Sequence, residues 1–594
     1  MAALFTTPKR NDTTAGTHVA EPDVRRRIGL AHGSWRRVTR RIVVGAVCAL
    51  TVSSLLMPSV SLAAEWVKVG GNKYNTAASD EAGTWSWDGA DDLKLNNYNG
   101  GEIQAAGKLN VNYSGTNIVT AEWIEGINVS HGTNENAELN IQGDAGSTLS
   151  VTSTEDAILS TGNINIDGAG SVNATSTGFD AINAGGDLAI KGSGNVNATG
   201  ASDGIRANGN ITIDDSGAVT ARATEDKGIG TDKNLTIKGG GTVEASSADG
   251  EALWSGGNIN ISDGSQVKAS SEKDAAVEAK GSLAATNASL NVNGVKYGVY
   301  AYKGITLNHA NVTVRAGKGR YGGAIALFTY PGDIVVKNGS TVDAFAEGEV
   351  SAAFSTRSDR PNEEGGHIYI SDSVVKAIAR YVENGDGPIP YSENQDGETS
   401  PEPQGENIGI IAQTSEGVTP AVVSIIRSKV TAEGDTAAIF ARAMSADGKT
   451  IGTIKIENAA IQTPEGGKVI DYRKLRDGIY EAGQAIGTGD AVIDSPYNEA
   501  VAKSMVIAPP EVAKPEDPKP DETKPAESKP AESKQNPKPE GSKPTKAVAA
   551  SITKAKTTGV LAATGDTSGA AIVATVLAGT AAIAAGTMAS RKRS

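Results

Sequence analysis

Aspartates recur at a nearly constant spacing through the middle of the chain, and carboxylates at such a spacing can bind calcium. Each precedes a short apolar segment, and the series is Asp156, Asp180, Asp203, Asp226, Asp249 and Asp274. If the chain winds once per period, these side chains stack at one edge, and Ca²⁺ between them would offset their repulsion. Asp also suits turns because it bonds its own backbone. The pattern therefore predicts either a ladder of Ca²⁺ sites or a set of turn residues.

Aromatic residues gather in and beside later apolar segments of the same kind. They are Trp254, Tyr297, Tyr300, Tyr302, Tyr321, Phe328, Tyr330 and Phe354. Sugars stack their C–H faces on such rings. A row of rings one turn apart would follow a polysaccharide, with carbohydrate-binding residues Trp254, Tyr297, Tyr300, Tyr302, Tyr321 and Tyr330. The alternative is that the rings are half-buried and cover wider turns of the chain.

Catalysis has no comparable signal in the sequence. Glycoside cleavage needs one pair of carboxylates at a particular place, whereas the acids of this chain recur with the period. Beyond residue 64 the histidines are His131, His309 and His367, far apart in sequence. Metalloprotease, nucleophile-elbow and P-loop motifs are absent from the sequence. The prediction is a protein that is not an enzyme, with a polysaccharide lyase or hydrolase as the less favoured alternative.

A repeat of about 24 residues must position these side chains. Its clearest markers are Ile164, Leu188, Ile211, Leu235 and Ile259, at spacings of 24, 23, 24 and 24 residues. Each period holds three short pieces in which apolar and polar residues alternate, which is typical of half-buried strands. Turns rich in Gly or Asp separate the pieces. The pattern predicts an all-β, three-sided parallel β-helix over residues 139–486, with coils about 4.8 Å apart.

The segment from Ser202 to Ile229, SDGIRANGNITIDDSGAVTARATEDKGI, carries this repeat in full. It resembles the β-helical carbohydrate-binding repeats of bacterial surface proteins and of cellulose- or pectin-associated proteins. The similarity lies in the Asp-Gly-Ile turn, the Gly-x-Ile-x-Ile strand and the Gly-x-Val-x-Ala strand, over roughly residues 139–316. The resemblance implies binding of polysaccharide and calcium, although motifs of this kind mostly encode the fold.

Residues 1–64 have the layout of a secretory signal peptide. A basic stretch with Arg40 and Arg41 precedes the apolar run Ile42–Leu56, and small residues follow at Ala63 and Ala64. A permanent membrane anchor is the alternative, and general secretion is favoured over the twin-arginine route. The one cysteine, Cys48, lies in this leader. The mature chain is therefore predicted to have no disulfide and no thiol ligand.

The two ends of the repeat region are predicted to close it. Residues 65–138 are interpreted as a cap with the first coils, and residues 487–508 as a C-terminal cap. The first region holds an outsized share of the aromatics, namely Trp66, Trp85, Trp87, Tyr98, Tyr113 and Trp123. A solenoid end exposes its core and its strand edges, so these rings are expected to plug the core. A sugar-stacking surface is the alternative.

The C-terminal part of the chain changes character at Pro509. Residues 509–560 begin with alternating Pro, Lys and Glu, which predicts an extended, solvated spacer. Residues 561–594 contain LAATG at Leu561–Gly565, an apolar segment at Ala570–Ala589 and a final Arg591-Lys592-Arg593. An apolar run of about 20 residues can span a bilayer, and terminal positive charge keeps its end inside.

This tail resembles the cell-wall sorting signal of Gram-positive bacteria. In that family a sortase cleaves between Thr and Gly, here Thr564 and Gly565, and joins the Thr carboxyl group to a peptidoglycan precursor. Ala562 stands where the commonest signal has Pro, which is similar to the variant recognised by class E sortases. The resemblance implies a sortase partner, with Leu561, Thr564 and Gly565 as the cleavage motif, and attachment to peptidoglycan.

Charge bears on partners. The chain has a formal net charge of −14, and loss of the basic leader and tail would make it more acidic. Nucleic acid is a poor partner for such a surface. The sequence predicts a secreted, wall-anchored surface protein of a Gram-positive bacterium, either an adhesin or a carbohydrate-binding β-helix. A purely structural stalk or a protein-binding adhesin is the alternative, and the ligand and oligomeric state stay open.

Overall fold

The computed structural model describes residues 63–133, 137–317, 323–359, 365–382, 406–415, 418–446, 448–476, 479–489, 492–493 and 500–510. All belong to one compact unit, Met1–Ala513, whereas a second unit, Lys514–Ser594, lies outside the described residues. The described part is all-β and forms three long sheets of mostly parallel strands. Consecutive strands enter sheets 1, 2 and 3 in turn, which is consistent with the predicted three-sided parallel β-helix.

Sheet 1 contains the strands that begin with the Ile or Leu markers of the repeat. Its strands, in chain order, are Ala78–Ser79, Trp85–Trp87, Asp92–Asn96, Lys108–Ser114, Glu138–Gly143, Asn163–Gly168, Leu188–Lys191, Ile211–Asp214, Leu235–Lys238, Ile259–Ile261, Ser282–Thr286, Gly304–Asn308, Asp333–Lys337, Ile368–Ser371, Val422–Ile426 and Thr453–Glu457.

Sheet 2 contains the strands that follow the first turn of each coil. Its strands are Asn99–Gly100, Thr116–Thr120, Thr148–Ser153, Ser171–Ser176, Val196–Gly200, Ala218–Ala223, Thr242–Ser247, Gln266–Ser271, Ser289–Gly294, Asn311–Gly317, Thr341–Gly348, Val374–Tyr381, Lys429–Gly434, Ala460–Thr463 and Ser504–Ala508.

Sheet 3 contains the third strand of each coil, and its strands lengthen toward the C-terminal end. They are Trp66–Val69, Asn72–Tyr74, Ile103–Ala106, Ile127–Ser130, Ile158–Ser160, Ile182–Ala184, Ile205–Ala207, Ile229–Thr231, Leu253–Ser255, Val277–Ala279, Tyr297–Ala301, Gly323–Thr329, Val350–Ser358, Asn407–Thr414, Ala437–Ser445, Lys468–Arg476, Ile479–Gly487 and Val492–Ile493.

The interior is built from identical positions of successive coils. Ile164 pairs with Leu188, which pairs with Ile211, and the series continues through Leu235 and Ile259. All of these side chains are buried, as are the equivalent Val and Ile residues of sheets 2 and 3. Burial of each such side chain is worth about 1.5–3 kcal/mol. The predicted stacking of periodic aliphatic residues is confirmed.

The corners between sheets are held by side chains that bond the backbone of the next coil. Asn163 Oδ1 accepts a hydrogen bond from Asp187 N at 2.9 Å, and Asp187 Oδ1 accepts one from Asn210 N at 2.6 Å. Between sheets 1 and 2 a left-handed residue turns the chain. Gly192 has φ +80°, and a Cβ there would lie 2.3 Å from the Gly168 carbonyl oxygen. Glycine adopts this conformation without strain, and in the next coil Asp215 takes the equivalent position with φ +47°.

Both ends of the described region depart from parallel winding. At the start, Trp66–Val69 pairs antiparallel with Asn72–Tyr74 and with Ile103–Ala106. At the other end, Ile479–Gly487 pairs antiparallel with Ala437–Ser445 and with Lys468–Arg476. The parallel coils were predicted to continue to residue 486, whereas Lys468–Arg476 and Ile479–Gly487 pair antiparallel with each other. Parallel pairing in sheet 1 runs only to Thr453–Glu457.

Membrane-spanning structure was predicted for residues 570–589, which lie outside the described residues. Among the residues that the structure describes, no helix has the length and apolar character to cross a bilayer. The predicted signal peptide, apart from its last two residues, and the Pro-rich spacer, apart from Pro509 and Pro510, also lie outside them.

Candidate functional site

The outer surface of sheet 3 carries two parallel rows of side chains. The turn row holds the residue two positions before the first paired residue of each strand, and its members are Asp156, Asp180, Asp203, Lys227, Glu251, Ala275 and Tyr297. The outer row holds outward-facing strand residues, namely Asn183, Arg206, Gly230, Trp254, Glu278, Tyr300 and Phe328. Neighbours within a row are one coil apart.

Three of the predicted aspartates form a continuous ladder in the turn row. Asp156 Oδ1 accepts a hydrogen bond from Asp180 N, and Asp180 Oδ1 accepts one from Asp203 N, both at 2.9 Å. Asp203 Oδ1 accepts one from Lys227 N at 2.7 Å. Each carboxylate thus holds the backbone of the next coil, as the Asn side chains do at another corner. This geometry matches the turn interpretation of the aspartates.

The other three aspartates do not join this ladder, because the turns vary in length. Asp226 and Asp274 lie three residues before the paired strand residue, and Asp249 lies four before it. Their carboxylates bond lysines, since Asp226 pairs with Lys227, Asp249 with Lys273, and Asp274 with Lys296 at 3.0 Å. The expectation of six stacked carboxylates is therefore wrong, and three are stacked.

Burial makes the ladder carboxylates hard to ionise. Asp203 is only 3% exposed. Desolvation raises the pKa of Asp203 to about 6 and that of Asp156 to about 6, and it raises the pKa of Asp180 as well. Hydrogen bonds from the backbone of the next coil oppose the shift in each case. Asp156 and Asp203 therefore take up protons in mildly acidic solution.

The predicted aromatic residues divide into two places on the outer row. Trp254 is separated from Tyr300 by Glu278, which lies between them in the register of successive coils. Tyr300 begins a tight cluster with Tyr297, Tyr302 and Phe328. The row is therefore Trp, Glu, then a group of rings.

The ring cluster is packed against itself. Tyr297 stacks on Phe328 with centroids 5.3 Å apart and planes 11° apart. Tyr300 stacks on Tyr302 with centroids 4.5 Å apart and planes 24° apart. Each of these rings is half-buried. Part of every ring is turned to a neighbour, and the remainder faces outward, where a sugar could stack.

Trp254 stands beside a gap in the outer row. Gly230 precedes it in the register and has no side chain. Lys227 Nζ lies 5.3 Å and Arg206 Cζ 5.9 Å from the Trp254 ring centroid, within cation–π range. Arg206 also bonds Asp232 at 2.6 Å. Both cations belong to coils that precede Trp254, so charged hydrogen-bonding groups lie on that side of the ring.

A carboxyl pair lies between Trp254 and the ring cluster. Burial and a hydrogen bond with Glu278 raise the pKa of Glu251 to about 7. Glu278 is itself nearly buried and bonds Lys280, whose Nζ lies 4.5 Å from the Tyr302 ring centroid. Glu251 is therefore a carboxyl group whose protonated form is favoured beside Glu278.

Beyond the ring cluster, sheet 3 becomes apolar on its outer face. The outer apolar cluster consists of Ala352, Ile408, Ile411, Ala437, Phe440, Ile470, Tyr472, Ala485 and Val501, all buried. Ile325, beside Tyr297 in the register, packs against it. Hairpin residues Ile470 and Ala485 thus cover strands of the last coils. The tyrosines sit where this buried surface gives way to an exposed one.

A buried ion pair adjoins the outer apolar cluster. Arg442 is 2% exposed and contacts both oxygens of Glu406 at 2.9 Å. It also donates to Gln413 Oε1 at 2.8 Å, with Glu481 at 4.0 Å. The pKa of Arg442 is raised, because attraction to these carboxylates outweighs the desolvation that would lower it. Sequence analysis did not predict this network, since its members lie far apart in the chain.

The remaining predicted residues fall outside the rows or outside the described residues. Tyr330 follows Gly323–Thr329 and is half-buried at the position that corresponds to Tyr302 in the preceding coil. Phe354 was predicted to belong to the sugar-facing aromatics. This prediction is wrong, because Phe354 faces the core and is fully buried. Tyr321 and the cleavage motif Leu561, Thr564 and Gly565 lie outside the described residues.

The aromatics of the first coils behave in two ways. Trp85, Trp87, Tyr98 and Tyr113 are buried, as expected of rings that fill the core. Trp123 is 82% exposed, so for it the core-plugging expectation is wrong. Its neighbour on the same corner, Phe179, is 51% exposed and was not singled out from the sequence.

Comparison with known proteins adds no relative: no protein-family model, no curated protein and no solved structure matches this chain.

Proposed function

We propose that this protein is a secreted, cell-wall-anchored surface protein that binds polysaccharide along the outer face of sheet 3. The observation that carries the proposal is the outer row itself. Trp254, Tyr300 and their neighbours present half-exposed rings on a rigid sheet, interleaved with paired acids and bases. Rings supply stacking faces and the charged groups supply hydrogen bonds to hydroxyls, which is the combination that sugars require.

The charge of this surface favours an uncharged or cationic glycan. Its cations are already paired, Arg206 with Asp232, Lys280 with Glu278 and Lys296 with Asp274. Asp203 and Glu251 add further carboxyl groups. An acidic polysaccharide would meet excess negative potential here, whereas a neutral chain would lose little by contact.

A glycan array with the full chain, followed by affinity measurements on the best neutral ligand, tests the proposal. Tyr300→Ala and Trp254→Ala should each weaken binding about 2- to 13-fold, the equivalent of the 0.5–1.5 kcal/mol of one aromatic contact. Tyr381→Ala is the control, because Tyr381 is an exposed surface ring that ends a strand of sheet 2. Binding that no ring variant alters, or an array without hits, would reject the glycan site.

A structural stalk or protein-binding adhesin is the second candidate, and one observation favours it. The ring cluster borders the outer apolar cluster through Ile325, so its rings also cover the edge of that packed apolar surface. In that case Tyr300→Ala would lower the melting temperature without any glycan being bound. The array and the melting curve together separate the two functions.

Wall anchoring is proposed from the tail of the sequence, where LAATG, an apolar segment and basic residues occur in that order. Sortase cleavage would leave the Thr564 carboxyl group joined to peptidoglycan, and the Pro-rich spacer would carry the β-helix outward. Thr564→Ala should move the protein from the wall fraction to the membrane or medium, with Thr557→Ala as the control. Equal wall attachment of the two variants would exclude the sorting signal.

A further inference from the structure

Trp123 is the most exposed large apolar side chain of the described residues, and its backbone is strained. It is 82% exposed and has φ +62°. A bulky residue in the left-handed region costs free energy and persists only where the surroundings impose it. Here the Trp123 N–H donates to Thr154 Oγ1 of the next coil at 2.8 Å. The backbone from which the exposed ring projects is thus fixed by a hydrogen bond to the next coil.

Phe179 lies on the same corner of the solenoid, between sheets 2 and 3. The strands that follow the two residues begin with Ile127 and Ile182, and Ile158 pairs with both. Phe179 is therefore two coils from Trp123, or about 10 Å along the axis at ~4.8 Å per coil. This separation is close to the length of two sugar units in an extended β-linked chain. Two exposed rings at that spacing suit a polymer that runs parallel to the axis.

The corner around these rings is acidic throughout. Its turns, residues 121–126, 154–157, 177–181 and 201–204, carry six carboxyl groups and no lysine or arginine: Glu122, Glu125, Glu155, Asp156, Asp180 and Asp203. Arg206, on the adjoining strand, is paired with Asp232. The surface therefore attracts cations, and the two rings can also accept a cation over their faces.

We propose that the aromatic corner, defined by Trp123 and Phe179, binds an amino-sugar polymer whose pyranose rings stack on the two side chains. Its ammonium groups face the exposed carboxylate of Glu122 and the half-exposed ones of Glu125 and Glu155, because the three aspartates of the turns are bonded to the backbone of the next coil. The inference rests on the proposed function, which places this protein outside the cell where it can meet polysaccharides. It names a second site and a ligand class that the sheet 3 platform does not define. A cationic peptide would satisfy the charge but would gain little from rings two coils apart.

The test compares a glucosamine oligomer with its N-acetylated counterpart of equal length, by titration calorimetry on the full chain. The amino form should bind the more tightly, and Phe179→Ala should weaken it about 2- to 13-fold. Trp123→Gly should do the same while relieving the backbone strain, because glycine adopts positive φ freely. Trp254→Ala, on sheet 3, should leave this binding unchanged.

Three results would overturn the inference: equal binding of the acetylated oligomer, full binding by Trp123→Gly and Phe179→Ala, or equally tight, ring-independent binding of an oligolysine. If the amino oligomer fails while a neutral glycan still binds in a Tyr300-dependent way, this site is wrong and the sheet 3 platform stands. If the amino oligomer binds through Trp123 while the array shows no neutral ligand, the platform is wrong and the aromatic corner stands.

Discussion

Replacing Asp203 by asparagine tests whether the turn-row ladder costs or contributes stability at neutral pH. Asparagine has nearly the same shape and keeps an oxygen that can accept the Lys227 N–H, now bonded at 2.7 Å. The change removes only the charge. Asp203 is 3% exposed, so solvent screens that charge little.

The magnitude follows from the pKa of Asp203, which burial raises to about 6 from about 3.9 in an unfolded chain. A raised carboxyl pKa means that the folded state prefers the protonated form. The cost of ionisation is therefore fully present above pH 6 and disappears as the pH falls toward 4. Two pKa units correspond to about 3 kcal/mol. We expect Asp203→Asn to stabilise the protein by up to about 3 kcal/mol at pH 8 and to have little effect at pH 4.

Urea unfolding of the full chain at both pH values measures this difference, and hydrogen exchange localises it to the coils around Lys227. A solenoid can unfold in parts, so the local measurement is the decisive one. Asp249→Asn is the matched control, since Asp249 lies in a later turn of the same corner but is exposed and paired with Lys273. Its effect should stay within ~1 kcal/mol and show little dependence on pH.

A stability change that is the same at pH 8 and pH 4 would refute this account of the ladder. Calcium supplies a second arm. If Ca²⁺ binds between Asp156, Asp180 and Asp203, the alternative that the sequence predicts, it should raise the melting temperature of the wild type at pH 8, and a chelator should reverse the rise. Asp203→Asn should then lose most of that response. Equal melting temperatures with calcium and with chelator would show that the three aspartates bind no Ca²⁺ and only bond the backbone of the turns.

Two further predictions concern packing. Arg442→Ala should lower the free energy of unfolding by about 3–5 kcal/mol, because it leaves Glu406 and Glu481 charged in a buried place. Arg427→Ala, which breaks an exposed pair with Asp372, should cost far less because solvent screens that pair. Equal losses in urea unfolding would contradict the role of burial. Ile237 is a buried core residue of sheet 1. Ile237→Ala should lower the free energy of unfolding by about 2–5 kcal/mol, and Ile237→Val by about 0.5–1.5 kcal/mol. If urea unfolding shows no larger loss for Ile237→Ala than for Ile237→Val, the core at this position is not closely packed.

The regular part of the fold was predictable because its signal is local and repeated. Ile211, Leu235 and Ile259 mark sheet 1 by spacing alone, and the register of the structure pairs them in that order. The ends were less predictable because their pairing changes direction. Residues 468–487 alternate like the coils before them, and only the structure places them antiparallel against Ala437–Ser445. An alternating segment fixes a strand but not the direction of its partner.

The candidate site was predictable only in part. Whether a side chain joins the turn row depends on how many residues separate it from the first paired residue of the strand that follows. Asp203 and Asp226 are 23 residues apart, so their spacing fits the repeat. Asp203 lies two residues before its paired strand residue and Asp226 three, so one extra turn residue moves Asp226 off the ladder. Lys227 takes the ladder position instead. Counting back from each strand would have found it, whereas counting from one Asp to the next did not.

The outer face of sheet 3 changes steadily along the axis while the core beneath it stays the same. The turn row begins with buried carboxyl groups at Asp156, becomes mixed in charge at Lys227 and Glu251, and ends in the ring of Tyr297. After Tyr297 the same row continues as Ile325 at the edge of the outer apolar cluster. Core packing requires none of these outward residues to differ from coil to coil, because only the inward side chains fill the interior. At one end the outward residues pack against the last hairpin, and over the rest, by our proposal, they contact a ligand.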